Sequence, residues 1–284
     1  MVKRILKTVN SQEGIMFKFE PNKTYRMPPF FGGKDYDPEL EARVYEAVFM
    51  SFTYTTDGRE LADYLPEGFE LLKPELSISL SQLKGCEFLA GGGYNIIQIS
   101  VPARFNGKHD KLEGTFPLVV WENLTRPILG GREENGQPKI FADIEDIHVY
   151  KDRYFTNASY DGNTFLSLEM LRPEPVNMQV FEQIKAGSAN AIVFGFRYIP
   201  KVGAPGADLS QPVIYPQSTY PNGAWSGKGA FQWIKLDKKY DTIGFPLQYE
   251  IVKQLADLPV YGIMPTVMIT GSFTMRPYKG RVIG

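Results

Sequence analysis

Lys139 follows Pro138 in the polar segment Gly131-Arg132-Glu133-Glu134-Asn135-Gly136-Gln137-Pro138, and Ile140, Phe141 and Ala142 come directly after it. A lysine set after proline in a polar turn, with apolar residues close behind, is a candidate imine-forming amine. Attack on a ketone carbon requires the neutral amine. A free lysine with pKa near 10.4 is less than about 0.1% neutral at pH 7. Burial among apolar groups or a neighbouring cation lowers that pKa, and Ile140, Phe141 and Ala142 offer the first route. Without further context, a lysine in such a turn is ordinarily a solvated loop residue.

Other chemistries find less support. Cys86 is the single cysteine, so it forms no disulfide within the chain and builds no zinc site by itself. It reads as a small buried apolar residue. His109 and His148 are the only histidines, and neither stands at a metal-ligand spacing. Gly91-Gly92-Gly93 lacks the Lys-Ser/Thr ending of a phosphate loop, and no Gly-x-Ser-x-Gly occurs. The formal net charge of −1 leaves no basic footprint for nucleic acid. Lys3, Arg4 and Lys7 are not followed by the apolar run of a signal peptide. No apolar run approaches the roughly 20 residues that cross a bilayer. These features fit a cytoplasmic protein with no membrane and no nucleic-acid partner.

The elements that must position the lysine read mainly as strands. Leu76-Ser77-Ile78-Ser79-Leu80 alternates as a half-buried strand should. Tyr94 to Val101, Pro117 to Trp121, Ala191 to Ile199 and Thr266 to Met275 are further strand candidates. Arg153 to Tyr160 and Thr164 to Met170 flank Asp161-Gly162-Asn163, a hairpin signal. A short helix is expected at Asp57-Gly58-Arg59-Glu60, capped by Asp57 and stopped by Pro66. Asn177 to Ala186 and Leu247 to Leu255 carry apolar residues at helical spacing. Residues 201–230 are turn-rich and read as a long irregular loop, either a lid or subunit contact or a solvent loop with no role. Residues 1–42, with Pro21, Pro28, Pro29 and Pro38, read as an extended lead-in to a single domain over 1–284. Many strands, few helices and no βαβ alternation predict an α+β, mainly β fold, a closed or nearly closed antiparallel barrel with a few flanking helices.

Four ordered blocks resemble the acetoacetate decarboxylase superfamily. They are Tyr54-Thr55-Thr56-Asp57 through Leu65-Pro66-Glu67-Gly68-Phe69-Glu70; Val101-Pro102-Ala103-Arg104-Phe105-Asn106-Gly107; Trp121-Glu122-Asn123 through Gly131-Arg132-Glu133 to Pro138-Lys139; and Asp257-Leu258-Pro259-Val260. Each block alone is weak, and the shared order is what carries the likeness. It implies a β-barrel cone with an interior pocket, assembly as a homo-oligomer, and an imine between Lys139 and a small keto-acid substrate, with no cofactor and no metal.

The resemblance also distributes roles. Arg132, in the matching Gly-Arg-Glu, is the candidate anchor for the substrate carboxylate, since guanidinium pairs with carboxylate in two-pronged fashion; a loop salt bridge, to Glu133 or Glu122, is the competing reading. Glu133 is a candidate on the same grounds. The family's decarboxylases often carry a second lysine after the first, where this chain has Ile140. They carry a glutamate where this chain has Ile96. Period-two spacing puts Tyr94, Ile96 and Gln98 on one face, so Tyr94 and Gln98 are candidate pocket residues, although neither replaces a carboxylate. The family's early arginine aligns with Ala47, with Arg43 nearby. Tyr261 is a candidate proton donor or a packed aromatic.

Three functions follow. The first is a lyase that decarboxylates acetoacetate or a related β-keto acid. The second is an imine-dependent aldolase or dehydratase acting on pyruvate-like 2-keto acids. The third is a small-molecule-binding barrel without catalysis.

Overall fold

The computed structural model describes residues 17–189, 191–236 and 247–284. The basic cluster Lys3, Arg4 and Lys7 lies outside them. Contacts divide the chain into a unit over Met1–Pro38 and a unit over Glu39–Gly284. In the first, β1 (Lys23–Thr24) pairs with β2 (Lys34–Asp35), and Phe17, Phe19, Tyr25 and Phe30 meet edge to face.

The second unit is built on strands. In chain order they are β3 (Ala42–Thr55), β4 (Phe69–Leu71), β5 (Glu75–Cys86), β6 (Tyr94–Asn106), β7 (Lys111–Glu122) and β8 (Lys139–Phe141). Then come β9 (Asp143–Ile144), β10 (His148–Tyr150), β11 (Arg153–Tyr160), β12 (Asn163–Pro175), β13 (Ala191–Pro200) and β14 (Ala207–Trp233). The last are β15 (Gly262–Ile263), β16 (Thr266–Met275) and β17 (Arg281–Val282). Helices are α1 (Gly58–Ala62), α2 (Thr125–Asn135), α3 (Met178–Ser188) and α4 (Leu247–Asp257). The fold is mainly β, as the sequence predicts.

The hydrogen-bonded path runs β10-β11-β12-β14-β13-β7-β6-β5-β3-β15, and β16 joins β14 to β3. Most pairings are antiparallel. Among the described residues the parallel pairings are β13 with β7, through Val193 and Thr115, and β7 with β8. Antiparallel neighbours need only a turn, whereas parallel ones need a crossover; α2 supplies it between β7 and β8.

Alternation divides the central strands into two faces. Met50, Leu80, Ile97, Trp121 and Ile140 are successive cross-strand partners from β3 to β8, and the first four are buried in the larger apolar cluster. One residue along, the facing row is Ser51, Ser79, Gln98, Val120 and Lys139. One residue the other way from Met50, on the same face as Ser51, the row is Phe49, Ser81, Ile96, Glu122 and Phe141. The Leu-Ser-Ile-Ser-Leu pattern of β5 thus sends isoleucine and leucine into the core and serine to the face that carries Lys139. A second, smaller apolar cluster of Val44, Ala47, Leu83, Cys86, Tyr94 and Phe273 includes Ile96 at its margin.

Local signals behave as their chemistry requires. Asp57 accepts from the backbone N–H of Arg59 and Glu60 and caps α1. Asp161 and Gly162, at φ 48° and 74°, close the β11–β12 hairpin in the left-handed conformations a tight turn needs. Asn177 caps α3 through Val180 N–H.

Two expectations are corrected. Residues 201–230 are not an irregular loop, because Ala207–Trp233 is one long strand, β14. Its prolines keep an accepting role in the ladders: Pro212 and Pro216 are partners of Phe196 and Ile192 in β13, and the Pro212 carbonyl accepts from Ile283 N–H at 3.1 Å. Pro221 adjoins an irregularity in the ladder with β16. Its glycines admit close neighbours, since a Cβ on Gly229 would fall 1.8 Å from Thr266 Oγ1. The second correction concerns the turn ahead of Lys139. Gly131 to Asn135 are the last residues of α2, and only Gly136 to Pro138 form the connection, with Gly136 at φ 60°.

Candidate active site

The segment before Lys139 is fixed on both sides. The Gln137 backbone N–H donates to Gly131 O at 3.0 Å, and Val120 N–H donates to Pro138 O at 3.0 Å. The buried Gln137 side chain donates to Phe194 O at 3.1 Å. Lys139 therefore enters β8 with its side chain committed to the face of Val120 and Glu122.

Lys139 Nζ lies 2.7 Å from Glu122 Oε1 and 3.3 Å from Pro127 O. The lysine side chain is 16% exposed and the Glu122 side chain 0%. Glu122 Oε2 has no hydrogen-bond partner among the described residues. Burial pushes the Glu122 carboxyl above its ordinary range, against the pull of the Lys139 ammonium. Helix α2 lies against the lysine stem: a Cβ on Gly131 would fall 2.5 Å from Lys139 Cδ and 2.8 Å from Nζ.

Tyr94 is buried on the same face of β6 as Ile96 and Gln98. Burial, with the Glu122 carboxylate as the second cause, raises its phenol well above the usual range. Cys86 is raised to about 11 by burial. Tyr215 on β14 is raised by burial and by Glu134.

The remaining candidates divide. Gln98, half-buried, shares the row of Lys139, two strands away. Arg132 is exposed and donates through Nη1 to the Lys139 carbonyl at 2.8 Å, so its guanidinium holds the backbone of β8. Glu133 is half-buried, and its carbonyl accepts from Arg197 Nε at 3.2 Å. Tyr261 is 66% exposed, and its backbone N–H donates to Thr55 O at 2.9 Å. The fold thus gathers Lys139, Tyr94 and Gln98 on one face and keeps Arg132 on the lysine's own backbone. Tyr261 stands at the far end of β3, beside Thr55.

Sequence reasoning missed Glu122 and Gly131. Glu122 entered only as a possible partner of Arg132. The available signal was an ionisable residue closing the apolar run Leu118-Val119-Val120-Trp121, where both faces are buried. Gly131 carries no such signal, because its role follows from an approach that only the fold creates.

The support for Lys139 comes from a second layer. The Trp121 indole N–H, on the opposite face of β7, donates to Gln248 Oε1 at 2.8 Å. Gln248 Nε2 in turn donates to Phe141 O at 2.8 Å, so α4 ties β7 to β8 beneath the lysine.

The family model for acetoacetate decarboxylase matches residues 26–277. A curated acetoacetate decarboxylase from Burkholderia ambifaria is 23% identical over 233 residues, covering 82% of this chain and 85% of its own. The crystal structure of acetoacetate decarboxylase from Legionella pneumophila superposes with a TM-score of 0.70 at 22% identity, covering 89% of this chain and 92% of that one. The enduracididine biosynthesis enzyme MppR complexed with pyruvate gives 0.63 at 14% identity, covering 92% and 97%. Among the described residues, no helix is long and apolar enough to cross a membrane.

Proposed function

The chain belongs to the acetoacetate decarboxylase family, and from that premise we propose that it is a Schiff-base lyase acting on acetoacetate or a related small β-keto acid through Lys139. The observation that carries the reading is the placement of Lys139 Nζ, largely withdrawn from water and 2.7 Å from a fully buried carboxylate. The strands β7, β6, β5, β3, β16, β14 and β13 follow one another as neighbours, and β13 returns to β7. We read this cycle as a cone, with the Lys139 face turned inward and the substrate held there. The working unit in this reading is a cytoplasmic homo-oligomer.

A β-keto acid loses CO2 slowly because the departing electron pair has no stable destination. Condensation of the ketone with Lys139 replaces C=O by a protonated imine, a cationic sink adjacent to the breaking bond. The pair released with CO2 then settles as an enamine. Protonation at carbon and hydrolysis return the ketone product and the lysine. Tyr94 and Gln98 supply hydrogen-bonding groups on the same face. Arg132 orients the lysine through its carbonyl, and its remaining N–H groups are available to a carboxylate. Glu133 and Tyr261 remain candidates at the margin of the site.

A second reading is imine-dependent aldol or dehydratase chemistry on a pyruvate-like 2-keto acid. The observation favouring it is Glu122 beside Nζ, because forming an enamine from pyruvate requires a base at the methyl carbon, whereas loss of CO2 requires none.

Sodium borohydride treatment with acetoacetate or pyruvate, followed by intact-mass measurement, tests both. A covalent adduct on the wild type and none on Lys139→Ala is the expected result. Release of CO2 from acetoacetate selects the lyase, and trapping of pyruvate without CO2 selects the second reading. No adduct with either acid leaves a non-catalytic binding barrel as the better description.

A further inference from the structure

We infer that Glu122 is the proton carrier of imine formation in this chain, passing a proton from Lys139 Nζ to the departing carbonyl oxygen and then remaining as the counter-ion of the imine. The inference rests on the imine reading of Lys139 and assigns a second catalytic residue to it.

Glu122 Oε1 faces Nζ at 2.7 Å, within direct proton-transfer reach. The carboxylate is fully buried, and its Oε2 has no hydrogen-bond partner among the described residues. A buried acceptor left without a partner is costly, and such groups are paired in the great majority of proteins. A second proton site held open beside a nucleophilic amine is what a carrier needs, since the carrier must receive from nitrogen and deliver to an oxygen bonded to the same carbon.

The steps balance. The ammonium gives one proton to Glu122, leaving a neutral amine and a carboxylic acid. The nitrogen lone pair forms the C–N bond, and the carbonyl π pair moves to oxygen. A second proton leaves nitrogen for that oxygen, giving a carbinolamine. Glu122 then protonates the hydroxyl, the C–O bond breaks with its electron pair leaving as water, and the nitrogen lone pair closes the C=N bond. Ammonium plus ketone have become protonated imine plus water, and Glu122 is again a carboxylate beside a cation.

Among the described residues, the surroundings of Nζ supply no obvious substitute. Tyr94 faces Glu122 from β6, with Cys86 from the end of β5 and Tyr215 from β14 next to it. Helix α2 contributes Glu134, which faces Tyr215, and Arg132, which is bonded to the Lys139 carbonyl. Tyr94, Tyr215 and Cys86 all hold their protons more tightly than usual, so near neutral pH they are poor acceptors.

Two readouts on Glu122→Gln separate this role from a structural one. The first is acylation of Lys139 by acetic anhydride in the substrate-free protein, read by peptide mass spectrometry across pH. The second is the rate of borohydride-trapped adduct with the keto acid that traps on wild type. Glutamine keeps the volume of the side chain and takes away only its charge, so acylation near neutral pH should hold or rise. Adduct formation should fall about 100-fold or more, the usual contribution of a positioned acid–base group, with partial recovery in Glu122→Asp. Trapping at the wild-type rate in Glu122→Gln overturns the inference alone. So does a parallel fall in acylation and trapping, which marks Glu122 as a structural partner of the lysine. A wild type that traps neither acetoacetate nor pyruvate overturns the imine reading and this inference with it.

Discussion

Ile96 and Glu122 are direct partners across the antiparallel ladder between β6 and β7. The family resemblance looks for a carboxylate at position 96 and meets an isoleucine. The fold places a carboxylate one strand over on the same face. Directly opposed residues have Cα atoms roughly 4.5–5.5 Å apart, a span that a glutamate side chain bridges. In the imine reading proposed above, the departure at Ile96 is a relocation of the acidic group within one cross-strand pair.

Relocation has a measurable consequence. Ile96→Glu introduced into Glu122→Gln should restore at least ten-fold of the lost trapping rate, because it returns a carboxylate to the same pair. Ile96→Leu in that background serves as the packing control. A double variant no faster than Glu122→Gln alone would show that only the β7 position presents the carboxylate usefully to Nζ.

Gly131→Ala tests the approach of α2 to the lysine. Alanine favours a helix over glycine by about 0.8–1 kcal/mol, but its methyl would stand 2.5 Å from Lys139 Cδ. The atoms met are the far end of a flexible side chain, so the conflict is relieved by moving the lysine, and its cost falls on the position of Nζ rather than on the fold. The expected outcome is a protein that melts within a few degrees of wild type and traps keto acid at least ten-fold more slowly. Unchanged trapping would mean that the lysine stem yields freely.

Gln248→Leu tests the tie between α4 and the two strands beneath the site. It leaves the fully buried Trp121 indole N–H and the Phe141 carbonyl without their partner. An unsatisfied buried group costs about 1–3 kcal/mol. Urea denaturation should show a loss in that range with little change in slope, and a loss below about 0.5 kcal/mol would indicate that other groups take over the bonds.

Asp110 gives a pH prediction away from the site. It pairs with Arg281, at 2.5 Å and 3.0 Å, and accepts from Gly284 N–H at 3.1 Å. These bonds, Arg281 foremost, lower its carboxyl from 3.8 to about 2. A depressed folded-state pKa means stabilisation that is complete above the unfolded value and lost as pH falls through the folded one. Wild type should therefore melt higher than Asp110→Asn above pH 4, with the gap closing between pH 4 and pH 2. A gap independent of pH over that window would assign the effect to packing.

Much of this architecture is legible in the chain. Strict alternation in Leu76 to Leu80 reports both the strand and its buried face, and Asp161-Gly162 reports its turn, because each signal is local. Lys139 is readable as a candidate through its ordered context. Glu122 and Gly131 are not, since what matters about each is its distance to a residue elsewhere in the chain. Residues 201–230 mislead for a related reason. Their prolines and glycines punctuate a loop by propensity, yet those within Ala207–Trp233 belong to a strand whose neighbours only the assembled sheet supplies.

That long strand also sets where the chain tolerates a change of length. β14 is bonded to β13 over its first part, to β16 in the middle and to β12 at its end. Side chains alternate with period two, so one residue added or removed inside it turns every later side chain to the opposite face. Neither partner ladder beyond that point can follow without moving its own partners. Insertions, tags and new termini therefore belong in the connection at Lys201–Gly206, just ahead of the strand, where Gly203 and Gly206 have open space around them.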